Sequence, residues 1–278
     1  MLPSIDFPEN VNVQEEWDLP NINNKLLSVS ESSLTAKARL LASTQKESGG
    51  SLQTLPSPYL GSLLDPDTLR IASGIRLGAK ICQPYTCLCG FPVDEYGTHG
   101  LSCIKKKGTF SRHFNLNDLI AKALSTAGFP NILEPKGLVR TDGKRADGLT
   151  ITPWKSGKSL VWDATCVDTI ASSYLHLTSK HPGAAANKAC TKKEELYKEI
   201  IVDHYFLPFA VETFGSFSDP AKKFVKNLGQ ILNSRSGNVR SASFFVQKIS
   251  LAIQRGNVAG IVGTIPANVK LDEIFYIH

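Results

Sequence analysis

Lys144-Arg145-Ala146-Asp147-Gly148 and Val161-Trp162-Asp163-Ala164-Thr165 are the two stretches on which the reading of this chain turns. They fall in the second and third of three extended segments, 131–139, 145–152 and 159–168. The turns Thr141-Asp142-Gly143 and Lys155-Ser156-Gly157 separate these segments. Fifteen residues lie between Asp147 and Asp163, enough for a strand, a tight turn and a return strand. In such a hairpin the two acids stand side by side. Two neighbouring carboxylates repel unless a cation holds them. Trp162 beside Asp163, in an otherwise apolar strand, marks the acid as placed for chemistry. The competing reading makes Asp147-Gly148 a turn and Asp163 a strand-end cap.

Outward from the hairpin, apolar spacing predicts a helix over 114–127, with Leu116, Leu119, Ile120 and Leu124 on one face. Gly128 and Pro130 end it. After the hairpin come a helix over 183–201, a buried strand over 205–214, and helices near 219–233 and 240–256. The order is α-β-β-β-α-β-α-α, which is α/β (α+β) with a central sheet flanked by helices. Metal-assisted phosphodiester hydrolysis needs two or three oxygens on the ion and a cation near the phosphate. Asp147 and Asp163 supply two oxygens. Glu134, on the first extended segment, is the candidate third, and Asp118 competes for that place. The helix 183–201 carries Lys188, Lys192, Lys193 and Tyr197, and the last two share a face. One of its lysines must reach the acids if such a centre is to work.

A second constellation precedes the helix at 114. Cys87, Cys89, His99 and Cys103 have C-x-C-x9-H-x3-C spacing within seventeen residues. Three thiolates and one imidazole make a closed tetrahedral set for structural Zn2+. Gly90, Gly97 and Gly100 allow the tight turns, and His99 and Cys103 suit a short helical turn. Cys82 lies just outside the set. A module this small takes much of its folding energy from the metal.

Residues 1–32 read as a loose leader, followed by helices from Leu34 to Gln45 and from Asp65, with Asp65 or Asp67 as cap. The expected organisation is a leader and helical connector over 1–80, a CCHC zinc knuckle over 81–108, and a catalytic domain over 109–278. No secretory signal or run of eighteen apolar residues occurs in the sequence. Six clustered or scattered cysteines fit a reducing compartment, nucleus or cytoplasm, and no membrane partner. Residues 1–100 hold 7 Lys+Arg against 11 Asp+Glu, whereas 101–278 hold 24 against 14. The basic half suits a polyanion, with Lys105, Lys106, Lys107, Arg112, His113, Lys144 and Arg145 as the nearest contacts.

The order of zinc knuckle, R-H-x-x-L-N-D helix, E-P strand, K-R-x-D-G, W-D-x-T and Lys/Tyr helix resembles a known family. These are the non-LTR retrotransposon polyproteins that carry a restriction-like endonuclease of the PD-(D/E)XK superfamily after their reverse transcriptase. The resemblance spans about 81–260. It implies a restriction-endonuclease-like mixed sheet, Zn2+ on Cys87, Cys89, His99 and Cys103, and Mg2+ or Mn2+ on Asp147 and Asp163. It also implies a catalytic lysine displaced onto the helix, Lys193 or Lys192, with Tyr197 beside it. DNA, the element's RNA and a reverse transcriptase domain outside this chain are the implied partners. Ala146 stands where the family has proline, the spacer is one residue longer, and Thr165 occupies the superfamily's lysine position. No Tyr-x-Asp-Asp polymerase motif is present, so the resemblance implies a fragment or a stand-alone descendant.

Three functions follow as expectations. The first is an endonuclease that nicks target DNA so that the freed 3′ hydroxyl primes reverse transcription. The second is a catalytically inactive nucleic-acid-binding module with the same zinc site. The third is a structural zinc protein that binds other proteins.

Overall fold

A computed structural model describes residues 13–105, 108–138, 143, 145–266 and 269–275. The elements in chain order are helices α1 (Val13–Ser32), α2 (Leu34–Ser43) and α3 (Pro66–Leu77), then strands β1 (Tyr85–Thr86) and β2 (Pro92–Val93). Next come α4 (Gly108–Thr126), β3 (Asn131–Leu133), β4 (Gly148–Lys155) and β5 (Lys158–Val167). The chain continues with α5 (Ser172–Thr178), α6 (Ala184–Leu196), α7 (Lys198–Ile201) and β6 (Tyr205–Glu212). Helices α8 (Asp219–Ser236), α9 (Ser241–Val262) and α10 (Leu271–Ile274) complete it.

The caps explain where several helices begin and end. Ser33 accepts the amide of Ala36, Asp65 that of Thr68 and Ser218 that of Ala221. Each satisfies an amide that the first helical turn leaves without a partner. Of the two predicted caps for α3, Asp65 takes the position, with Pro66 following it.

The main sheet has the order β3-β4-β5-β6, antiparallel through β5 and parallel between β5 and β6. Its register begins at the turn. Ser156 (φ 51°) and Gly157 (φ 75°) both take positive φ between Lys155 and Lys158, as in a two-residue hairpin turn whose twist matches the strands. A register shift near Pro153 lets Thr150 replace a ladder bond, its hydroxyl accepting the Leu160 amide at 2.9 Å. Gly148 then lies opposite Trp162. A Cβ at Gly148 would come within 2.0 Å of the Trp162 ring, so only glycine lets the indole lie across β4.

Alternation along β5 sorts its side chains between two layers. Leu160, Trp162 and Ala164 enter the large core with Leu116, Ile120 and Leu124 of α4, Phe209 of β6 and the apolar faces of α8 and α9. Val161 packs on the other side with Tyr197 and Ala146. α6 covers β6 there through Ala186, Ala189 and Cys190 against Ala210. Asp163 is therefore directed toward α6.

A second core joins Ala42 of α2, Ile71 and Ile75 of α3, Ile81, Cys82, Leu101 and Ile261 of α9. Connector, zinc segment and helical domain thus share one hydrophobic interior across the divisions expected near 80 and 108.

Several expectations change. Val13–Ser32 is a helix rather than a loose leader, although Leu19, Ile22, Leu26 and Leu27 stay exposed on it. Its Asn/Ser-rich sequence has no single apolar stripe to announce a helix. Among the described residues of the segment 131–139, only Asn131–Leu133 are a strand. Glu134 turns the chain with φ 48°, and Pro135 follows. The helix 183–201 breaks at Tyr197 into α6 and α7. Helix α5 and the first turns of α4 went unpredicted, because neither carries an apolar repeat. Among the described residues no helix is long and apolar enough to cross a membrane.

Candidate metal centre and candidate active site

The zinc set is assembled locally. β1 and β2 pair so that Cys87 and Cys89 flank a turn in which the Gly90 amide bonds the Cys87 carbonyl at 2.8 Å. Thr98–Leu101 is a 3-10 turn, and the Cys103 amide returns to the His99 carbonyl at 3.0 Å. The Sγ atoms of Cys87 and Cys103 lie 3.6 Å apart, and Cys89 Sγ lies 3.3 Å from His99 Nε2. All four donor atoms fall within 4.8 Å of one another. A tetrahedral Zn2+ at 2.0–2.3 Å from its ligands would set these edges at about 3.5–3.8 Å. The cluster therefore fits a metal ion and is compatible with zinc.

Burial pushes the Cys87 thiol up to about 12, whereas an amide donated by Phe91 lowers Cys89. A metal binding all four donors must displace the thiol protons, which makes loading dependent on pH. Cys82 is not part of the set. It is fully buried in the second core, its thiol pushed up to about 12 by burial. Gly100 lets the zinc turn lie against α9, since a Cβ there would meet Ile261 Cα at 2.5 Å.

The second centre draws on four separate parts of the chain. Asp147 precedes β4 and Asp163 lies in β5. The Asp147 amide donates to the Trp162 carbonyl at 3.0 Å, and the Ala164 amide donates to Asp147 Oδ2 at 2.6 Å. The two acids therefore sit next to each other across the strand pair. From α6, Lys193 Nζ contacts Asp163 Oδ1. Tyr197, one turn later, donates its hydroxyl to Asp163 Oδ2 at 2.6 Å. From α4, His113 Nε2 lies 3.0 Å from Asp147 Oδ2. Single donor atoms of His113, Asp147 and Asp163 all lie within 4.8 Å of one another. Together with Glu134, Gly143, Arg145, Ala146 and Lys193 they line an open, polar cleft of about 500 Å³.

Electrostatics follow from that geometry. Burial pushes the Asp163 carboxyl above its ordinary value. The Lys193 ammonium opposes this shift and the Asp147 charge adds to it. The Asp147 hydrogen bond raises the His113 imidazole.

The other predicted residues divide clearly. Lys193 reaches the acids, while the adjacent Lys192 is exposed. Glu134 lines the cleft but is absent from the close donor cluster. Asp118 pairs with Lys122 at 2.8 Å on the exposed side of α4. Lys105 and Arg145 are exposed. Lys106, Lys107 and Lys144 lie outside the described residues.

Arg112 does not face a polyanion. It is buried, donating to Asn257 Oδ1 and to the Leu101 carbonyl, each at 2.8 Å. Its stem occupies the space that a Cβ on Gly256 would fill. The sequence shows its charge but not its partners, which lie 11 and 145 residues away. His113 likewise belongs to the acid cluster rather than to a general basic surface.

Sequence reasoning missed Asn117. It accepts the Trp162 indole N–H at 3.1 Å and lies one helical turn from His113. The i, i+4 spacing of the two on α4 was the available signal.

Comparison with protein-family models returns no match for this chain, and comparison with curated proteins returns none either.

Proposed function

We propose that this chain is a metal-dependent DNA endonuclease of the non-LTR retrotransposon type. Its fold would be restriction-endonuclease-like, and it would nick target DNA to prime reverse transcription. One observation carries the reading: Asp147 and Asp163 converge on an open cleft with Lys193 at its wall. The order α4-β3-β4-β5-α5-α6-α7-β6 also supports it.

In this reading Asp147 and Asp163 hold the divalent ion, Mg2+ or Mn2+. When bound, the ion acidifies a water and offsets charge growing on the phosphate. Lys193 places a positive charge beside the scissile group. Tyr197 is a positioning residue, fixing the rotamer of Asp163. Glu134 and Arg145 lie at the cleft wall, and Arg145, Lys105 and Lys144 meet the DNA backbone. The zinc module braces the fold. Partners are DNA and the element's RNA, with a reverse transcriptase domain outside this chain, in the nucleus or cytoplasm. Six free cysteines suit that reducing setting.

A second reading has its own observation. Both oxygens of Asp163 already have partners, Lys193 and Tyr197, so its carboxylate is satisfied without an ion. That favours an inactive nucleic-acid-binding module, as do Ala146 and Thr165. Nicking of supercoiled plasmid in Mg2+ or Mn2+ separates the two. The endonuclease reading expects Asp163→Ala to lower the nicking rate by about a thousandfold, with zinc content unchanged. Equal rates for wild type and variant leave only the binding module.

A further inference from the structure

The acid centre contains a donor that an all-oxygen magnesium site does not require. His113, half exposed, sits on a helix whose neighbouring residues are anchored. On one side of it in α4, Arg112 is held by Asn257 and Leu101. One turn later Asn117 is held by Trp162, and Leu116 and Ile120 are buried in the core. The Asn117 amide lies 3.4 Å from both ring nitrogens of His113, so it caps neither in preference. Nε2 faces Asp147, 3.0 Å from its Oδ2, and a ring nitrogen of His113 lies within 4.8 Å of an Asp163 oxygen.

We propose that His113 Nε2 is a direct ligand of the divalent ion at the acid centre, beside Asp147 and Asp163. The resulting donor set of one nitrogen and two oxygens selects Mn2+ over Mg2+. The proposal rests on the reading that the two aspartates bind a divalent ion.

The chemistry is that of hard and borderline cations. Mg2+ takes oxygen donors in a strict octahedron and sheds water reluctantly. Imidazole nitrogen favours first-row transition metals, while two carboxylates keep the site hard enough for Mn2+. The alternative is that His113 serves only as the ion-pair partner of Asp147. That role puts no nitrogen on the metal.

The test uses the full chain loaded with zinc, so that the cysteine site is filled, and Mn2+ alone as the probe. Electron paramagnetic resonance counts bound Mn2+, and electron spin-echo modulation detects a directly coordinated nitrogen. Wild type is expected to bind Mn2+ with a nitrogen coupling that shifts on 15N-histidine labelling. His113→Ala is expected to lose that coupling and to bind Mn2+ about tenfold more weakly, with zinc content retained as the check on folding. His113→Asp is expected to bind without nitrogen coupling and to let Mg2+ compete about tenfold better.

Mn2+ bound to wild type without nitrogen coupling overturns the proposal whether or not either variant folds. If Asp163→Ala still abolishes that binding, the acid centre itself stands. Equal Mn2+ binding by wild type and Asp163→Ala removes both readings.

Discussion

In the zinc module four donors come from seventeen consecutive residues. In the acid centre three donors and an ammonium come from four places between residues 113 and 193. The first closes through turns of a few residues, Gly90 to Cys87 and Cys103 to His99. The second depends on a hairpin register, a glycine under an indole and two helices packed on opposite faces of the sheet. A local site survives disturbance of its surroundings as long as its metal is bound. A dispersed site responds to any change that moves one of its elements. The two regions are nonetheless linked, because Arg112 binds the Leu101 carbonyl in the zinc turn and is followed directly by His113.

The largest expected effect tests how local the zinc module is. Cys89→Ser should abolish zinc in mass-spectrometric metal analysis, since structural zinc contributes on the order of 10 kcal/mol to a small module. Hydrogen exchange should rise over residues 85–105, while the main sheet stays protected. Loss of protection throughout β4–β6 would show that the two regions fold as one unit.

Arg112→Met comes next. It removes two donors from buried acceptors, with an expected cost of about 3 kcal/mol in urea unfolding. If the linkage is real, zinc affinity and plasmid nicking both fall. A drop in stability with both properties unchanged would uncouple the regions.

Gly148→Ala should act on the acid centre alone. The added Cβ forces the buried Trp162 ring aside at about 2 kcal/mol. Thermal melting reads the stability loss, and nicking should fall with zinc content unaffected. Zinc loss in this variant would contradict the division between a local and a dispersed site.

The smallest effect concerns the support of α6. Glu212 is fully buried and accepts the amides of Ala185 and Ala186 at 3.0 and 3.3 Å with Oε1, while Oε2 has no partner. Burial raises its carboxyl despite those two amides. A group raised on folding adds stability that is present below its ordinary value of 4.5 and is lost as pH rises through the raised value. Wild type should therefore lose melting temperature relative to Glu212→Gln as pH climbs above 4.5. A gap that stays constant with pH would mean that Glu212 holds its proton equally well folded and unfolded, and would refute the raised carboxyl.

The sequence by itself determined the cluster of Cys87, Cys89, His99 and Cys103, because ligand spacing and glycine turns are properties of contiguous chain. It also announced the hairpin that carries Asp147 and Asp163, because turn chemistry is local, but the register shifts between Leu149 and Lys155 that bring the two acids level were not legible in it. The i, i+4 relation brought Lys193 and Tyr197 to one face for the same local reason, and both meet Asp163.

Only the tertiary structure decided which basic residues are buried and which face the cleft. Arg112 and His113 are adjacent in sequence, yet a helix turns one into the interior against Asn257 and the other toward Asp147. That outcome depends on where α4 lies against β5 and α9. This packing arises from contacts more than a hundred residues apart, for which residue spacing along the chain carries no signal.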